Sequence, residues 1–588
     1  MASISVIEGR AGSGKSRELY RGICRRMDAG ERCLLLVPAQ YSYEAELRLC
    51  EMHGGVLGAQ VYYPERLLER VLIDTDYGKP VMSAQGRRMV LKRVILKCKS
   101  KLILFGRIAE SRGFAESMDE LIGRFRRQSV SCDELEACAN ALDEGSMLAR
   151  KLRDIALLYR EGDRYMDEQS FAADLYEAAM PRIADSFVKS CHVYIDGIEY
   201  GGKQKLEFIT RLASSAESLT VALRSGGEGA ADGRMFRPDA EVKERLMETA
   251  SLLGIPFYTQ FMQGKPKMPE ALAYLESHLY LPPDSRFLPV QSNVVIEDYP
   301  DRNAEIAAVG DQILELARRG VRYRDIAVLA TDLDAYGFGL KRAFEKRSIP
   351  LFSDFVRPVK NHAAAELMTR AVGCCASGFS PKEVLRLAKS GYTGCDAGEL
   401  EIFENYILRM GLFGSDMAKP FERGEVPKEA ERVRCGVMGP LMRLKEGMSQ
   451  ESAALKVRAL YEYLCELDLS GQLKAQAQKQ LAIGRVSEAE QYAQLWNIIM
   501  ELLTQLHDIL GENKLGVRAF LGVLEEGIAG YSMGVLPGTA DQVILGDLYR
   551  TRSGSVDTLF ILGCNEGLLP RTHNDDELIC DAELELMK

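Results

Sequence analysis

Short aliphatic runs alternate with amphipathic stretches through the first sixty residues. Ser3–Glu8 (SISVIE) is β-branched and short enough for a strand, and Arg17 onward (RELYRGICRRM) has helical spacing. Arg32–Pro38 (RCLLLVP) is continuously apolar, the pattern of a strand buried on both faces. Ala59–Tyr63 predicts a third strand. From about Ser83 to Met180 the spacing predicts helices, after which strands return at Cys191–Ile195 and Ser218–Leu223. A second α/β unit is expected from near Ser292. It has a strand over Val294–Asp298, a helix over Ala304–Arg319 closed by Gly320, and a strand over Ile326–Ala330. Ala363–Gly530 reads as mostly helical and polar, with Trp496 on an amphipathic helix where core packing is the default. Gln542–Gly546 and Thr558–Gly563 return to strand character, and Asp575–Lys588 opens a helix.

The pattern gives an α/β chain with two cores, each interrupted by a helical insertion. That is the layout of a superfamily 1 helicase. In that layout ATP binds in the cleft between the cores, and single-stranded nucleic acid crosses their tops.

Composition narrows this only a little. A chain of 588 residues is too long for one core and suggests three or four domains. Hydrophobic residues at 46% and charged residues at 27% are ordinary for a globular protein. No run approaches the roughly 18 apolar residues of a membrane span, and the N-terminus enters a strand directly, so a cytoplasmic location is expected. The 14 cysteines are scattered without C-x-x-C or zinc spacing, as expected of free thiols in a reducing compartment. A net charge of −10 gives no global attraction to nucleic acid, but a local basic channel remains compatible with it.

The chemistry is most specific at Gly9-Arg10-Ala11-Gly12-Ser13-Gly14-Lys15-Ser16. Every fixed position of the phosphate-binding pattern G-x-x-x-x-G-K-[ST] is met, between an expected strand and an expected helix. That context aims backbone N–H groups and the positive end of a helix dipole at one point. Gly9, Gly12, Ser13, Gly14, Lys15 and Ser16 are therefore expected to bind nucleotide. Lys15 would neutralise the β- and γ-phosphates, and the Ser16 hydroxyl would ligate Mg²⁺. Asp196 ends the strand Cys191–Ile195, where such proteins place a second Mg²⁺ ligand. Motor ATPases usually follow that Asp with a Glu that polarises water. Gly197 stands there instead, and the nearest acid is Glu199, so fast hydrolysis is not expected. The segment Gly86–Lys101 carries basic residues and no acid. Arg88 and Lys92 share one helix face, and Arg93, Lys97 and Lys101 another. A solvated helix face and a contact with the DNA backbone both fit this spacing.

The order of several short strings is more informative than any one of them. GRAGSGKS, LLLVPAQYSYEAEL, AQVYYPERLLERVL, SAQGRRMVLKRVIL, GFAESMDELIGRF, VYIDGIE, VRYRDIAVLA, FENYILRMGLFG, DQVILGDLYRTRSG and LFILGCNEGLLP follow one another along nearly the whole chain. In this the chain resembles the N-terminal, helicase-like half of the AddB family, one of the two components of the bacterial AddAB helicase–nucleases that process double-strand breaks for recombination. The resemblance implies two RecA-like cores with parallel sheets. The first core is expected over 1–104 and 186–290, with a helical insertion at 105–185. The second is expected over 291–364 and 536–588, with a helical insertion at 365–535. It also implies ATP and Mg²⁺ as ligands, an AddA-like helicase–nuclease subunit as partner, and single- and double-stranded DNA ends as substrate. AddB-type proteins read a recombination hotspot and contribute little motor activity, which agrees with Gly197.

Position by position, the match implies DNA contacts for Gln40, Ser42 and Arg66, with a loop-capping amide and a surface arginine the alternatives for Gln40 and Arg66. Arg550 and Arg552 fall in a segment that meets DNA or the γ-phosphate, Arg550 being assigned to DNA and Arg552 to nucleotide; a surface ion pair is the alternative for both. Asn565-Glu566-Gly567 either contacts DNA or simply turns the chain. Pro64 and Glu69 stand where the family often has Phe and Trp, and Ile198 and Gly201 where aromatic residues are usual. Bases stack on aromatic rings, so a different hotspot, or none, is expected. The second core reads as incomplete, and neither a nuclease carboxylate set nor iron–sulfur cysteine spacing occurs. The sequence is thus expected to be part of a longer chain whose remainder carries the nuclease and cluster. An autonomous superfamily 1 motor and a scaffold with a vestigial nucleotide site are the competing readings.

Overall fold

The computed structural model describes residues 3–587 apart from 56–57, 144, 199–200, 228, 264–267, 282–292, 354–356, 535–540, 549–555 and 573–577. Six strands build the first sheet: β1 (Ile4–Gly9), β2 (Cys33–Leu36), β3 (Ala59–Tyr62), β4 (His192–Ile195), β5 (Ser218–Arg224) and β6 (Phe257–Phe261). They pair in the order β3-β2-β4-β5-β1-β6, every pairing parallel. A parallel sheet is covered on both faces, which is why β2 is apolar at every position. One face lies under α1 (Lys15–Asp28) and α2 (Ser42–His53), whose Leu19, Ile23, Ala45 and Leu49 pack on Ile7, Leu35, Tyr194 and Ala222. The other lies under α3 (Pro64–Asp74) and the helices Lys203–Ser215 and Arg237–Leu253, where Leu67, Phe208 and Leu246 meet Val6, Val193 and Val221. Strand β6 escapes the sequence pattern because it is an edge strand, with Tyr258 and Phe261 exposed.

The second sheet holds β7 (Ile326–Ala330) and β8 (Leu351–Ser353), then, after a two-residue antiparallel ribbon of β9 (Arg357–Pro358) and β10 (Ser532–Met533), β11 (Val543–Asp547) and β12 (Thr558–Leu562). Its order is β12-β7-β11-β8, again parallel. The helices Arg302–Arg318 and Leu333–Lys346 bury Ile306, Ile313, Leu340 and Phe344 against Val328, Leu545 and Leu562. The two parallel α/β layers match the expected RecA-like cores. The strand expected over Val294–Asp298 does not form: the segment joins no sheet, and Ile296 is 94% exposed. An apolar run becomes a strand only where a sheet pairs with it.

Most of the remaining chain is helical, and its two parts share one core. α4 (Ala84–Cys98), α5 (Phe114–Arg127) and the helix Met147–Glu168 pack Met89, Val94, Met118, Ile155 and Leu158 into a cluster. The same cluster contains Leu367, Met368, Leu441, Leu502, Phe520 and Leu524 from the second half. Contact is close at Gly527, where a Cβ would stand 2.6 Å from a Leu502 methyl and 2.7 Å from the Met89 sulfur. Polar links cross the same seam. Gln85 donates to the Gly530 carbonyl at 3.0 Å. Arg93 donates to Asn513 at 2.8 Å while lying 4.0 Å over the Tyr165 ring. Lys151 pairs with Glu583 at 2.8 Å. No helix among the described residues is long and apolar enough to cross a membrane.

Asp154, fully buried in the helix Met147–Glu168, organises the turn that follows α4. Its carboxylate accepts the backbone N–H groups of Ile103 and Leu104 at 2.8 Å and of Phe105 at 3.0 Å. Asp154→Ala strands these donors and is expected to destabilise the helical block by about 2–4 kcal/mol. A denaturant titration should show the loss as an earlier first transition, and an unchanged transition would contradict this role for Asp154.

Candidate nucleotide and DNA site

Gly9 ends β1 and Lys15 begins α1, so the glycine-rich loop connects a buried strand to a helix N-terminus. Gly12 and Gly14 adopt φ of 72° and 95°, left-handed values that favour glycine. A Cβ at Gly9 would stand 2.5 Å from the Ser13 hydroxyl and 3.0 Å from the Met262 carbonyl, so the turn closes only around glycine. The Lys15 ammonium folds into this turn and donates to the Gly9 and Arg10 carbonyls, both at 2.7 Å. Burial lowers the Lys15 pKa, and the Asp196 carboxylate is the largest influence working against it. The Ser13 hydroxyl is buried in the loop and makes no hydrogen bond.

Sequence reasoning passed over Arg10, whose position in the pattern is unrestricted. Its guanidinium pairs with Asp232 at 2.7 Å and Glu276 at 3.4 Å, and lies 5.7 Å over the Phe236 ring. These contacts tie the loop to the segment after β5 and to the helix Glu270–His278. A lone arginine in a glycine-rich run carries no sequence signal for such partners.

Asp196 follows β4, and its N–H donates to the Leu36 carbonyl at 3.0 Å. Tyr194 packs beneath α1, so Asp196, two residues on, shares that face with Lys15 and Ser16. Gly197 has φ of 69°, and Glu199 lies outside the described residues. The arrangement fits a metal-bound polyphosphate. It offers a glycine turn at a helix N-terminus, a half-buried ammonium, a hydroxyl on the first helical turn and one carboxylate across an intervening strand. Among the described residues no group of three or more His, Cys, Asp or Glu could hold a metal.

Gln40 follows β2 and is exposed, and Arg66 sits exposed on the first turn of α3, 5.8 Å over the Tyr62 ring. Both lie at the carboxyl edge of the sheet that also carries the phosphate loop. The Ser42 hydroxyl donates to the Ala39 carbonyl at 2.8 Å, a local role in the turn. Pro64 is buried at the start of α3, Glu69 is exposed, and Ile198 packs partly into the core. Asn565-Glu566-Gly567 turns the chain, with the Leu568 and Leu569 N–H groups donating to the Asn565 carbonyl at 3.0 and 2.9 Å. Arg550 and Arg552 lie outside the described residues.

Arg88 and Lys92, for which a DNA contact and a helix-face role were both open, have partners within the protein. The Arg88 side chain is 18% exposed and pairs with Glu116 at 2.7 Å, and with Asp119 and Glu120 at 3.8 Å. Lys92 is 5% exposed, 3.9 Å from Glu526, with the Ala109 and Ser111 carbonyls at 3.5 and 3.4 Å. α4 is packed among helices, and its Arg87, Arg88 and Lys92 face acids within the protein. The signal was present in the apolar residues of the same stretch: Met89, Val90, Leu91, Val94 and Ile95 occupy too wide an arc for a surface helix.

Residues 6–276 match the family model described as ADDB, N-terminal. Over 99% of its length the chain is 27% identical to the second (B) subunit of the ATP-dependent helicase/deoxyribonuclease of Alkaliphilus oremlandii. It is 29% identical over its whole length to the protein of that name from Geobacillus thermodenitrificans. Each alignment covers 54% of the relative, so the chain spans about half the length of these proteins.

Lys92→Met and Arg88→Ala are expected to lower the melting temperature by several degrees while changing single-stranded DNA affinity less than twofold, since both side chains are already committed to acids within the protein. Fluorescence anisotropy with a labelled oligonucleotide measures the affinity. A tenfold loss in a folded variant would restore the phosphate-contact reading.

Proposed function

We propose that this chain, AddB-like along its whole length, is the helicase-like part of a helicase–nuclease subunit that binds nucleotide and single-stranded DNA. The observation that carries the proposal is the phosphate loop with Asp196 on the same face and Gly197 directly after it. Lys15, Ser16 and the loop N–H groups hold a polyphosphate, and Ser16 and Asp196 hold its Mg²⁺. The position that would present a water-polarising carboxylate has no side chain. The site therefore favours occupancy over turnover.

The shared helical core supports the same reading. A motor must change the spacing of its two cores in each cycle. Here the helices of both halves are packed around one set of apolar side chains. The exposed Gln40 and Arg66 at the carboxyl edge of the first sheet suit a passing single strand, with any hotspot recognition drawn from polar contacts. The partner in this proposal is an AddA-type helicase–nuclease subunit that drives translocation, the substrate is a DNA end, and the setting is double-strand break repair by recombination.

Two measurements on the chain itself test this. Saturating Mg-ATP should raise the melting temperature of the wild type, about 2–3 kcal/mol at a hundredfold excess over Kd, and leave Lys15→Ala unmoved. Equal melting of both would favour a scaffold. Oligonucleotide affinity should fall steeply between low and moderate salt through counterion release, and a flat response would remove the phosphate channel.

A further inference from the structure

The strand between the two halves of the candidate nucleotide site ends in an arginine. β5 lies between β4, which leads to Asp196, and β1, which leads to the phosphate loop. In the β1–β5 register Arg224 stands directly opposite Gly9, the first residue of that loop, and the next N–H, of Ser225, donates to the Gly9 carbonyl at 3.1 Å. Ala222 packs in the cluster beneath α1, as Tyr194 does on β4. Alternation along a strand then puts Arg224 and Asp196 on the same face as Lys15. The interval between Asp196 and the loop, where the terminal phosphate of a metal-bound nucleotide would lie, is thus the ground above the end of β5.

The guanidinium is held but not consumed. Asp239, buried on the first turn of the helix Arg237–Leu253, accepts the Arg224 backbone N–H at 2.9 Å, Nε at 3.2 Å and Nη2 at 3.0 Å. Gripped along one edge, the side chain is still 63% exposed. Arg10, the other arginine at the loop, is only 26% exposed and is occupied by two carboxylates. Of the two, Arg224 is the one with donors to spare, and its charge acts on Lys15. A planar guanidinium fixed by a buried carboxylate is suited to bidentate contact with phosphate oxygens.

We propose that Arg224, positioned by Asp239, contacts the terminal phosphate of the bound nucleotide and makes the site prefer triphosphate to diphosphate. The proposal rests on the nucleotide-binding reading above. It gives the site a way to report which nucleotide is bound without relying on hydrolysis.

The test is competition of ATP and ADP against a fluorescent nucleotide analogue, with Mg²⁺, on wild type, Arg224→Gln and Arg224→Lys. Melting temperatures without nucleotide establish that each variant is folded. Arg224→Gln should weaken ATP roughly tenfold and ADP less than twofold, and Arg224→Lys should recover part of the ATP preference. Wild type that binds neither nucleotide would overturn the nucleotide reading itself. Wild type that binds, with ATP and ADP weakened equally or not at all in Arg224→Gln, would overturn the role of Arg224 alone.

Discussion

The parallel register of β4, β5 and β1 is the constraint on which the site depends. Parallel pairing brings the carboxyl ends of all three strands to one edge, and β-alternation decides which side of the sheet each terminal residue faces. Residues 9, 196 and 224 are distant in sequence and meet only through that pairing. The burial of β2 and β4 on both faces supplies the apolar free energy that fixes the register, because a shift by one residue would exchange the side chains under α1 with those under α3. The phosphate loop then needs little beyond glycine and a lysine that can fold into the turn.

The helical regions impose a second constraint. α4 is surrounded by helices from both halves of the chain, and the buried Lys92–Glu526 pair and the Arg93–Asn513–Tyr165 contacts sit at the seam. Their position ties together segments that a simple alternation of core and insertion would leave independent. Removing one member of a buried pair leaves the other charge without compensation, so such contacts favour a single arrangement. In the proposed reading, such a seam holds the helical regions of the two halves against one another.

The sheet cores were legible wherever the chain carries continuous apolar runs, as at Arg32–Pro38 and Ile326–Ala330. The glycine turn between β1 and α1 was legible because its spacing is nearly unique. Legibility failed where pairing, and not local pattern, decides the outcome. β6 is a strand because β1 recruits its backbone, despite exposed side chains, whereas Val294–Asp298 has a strand's sequence and joins neither sheet. The basic stretch of α4 was hard to read for a related reason: charge alone does not show whether acids from elsewhere in the chain, here Glu116, Asp119 and Glu526, lie against it. Arg224 carried no motif, and its place became visible only when strand order put it between Asp196 and Gly9.

The central claim is that the site is built for occupancy without rapid turnover. It is tested most directly by measuring phosphate release by this chain at saturating ATP with single-stranded DNA present, alongside bound nucleotide by equilibrium dialysis. Near-stoichiometric occupancy is predicted, with release no faster than about one per minute, far below the roughly 1–10³ per second typical of enzymes. DNA-stimulated release of several per second by the wild type, lost in Lys15→Ala, would contradict it.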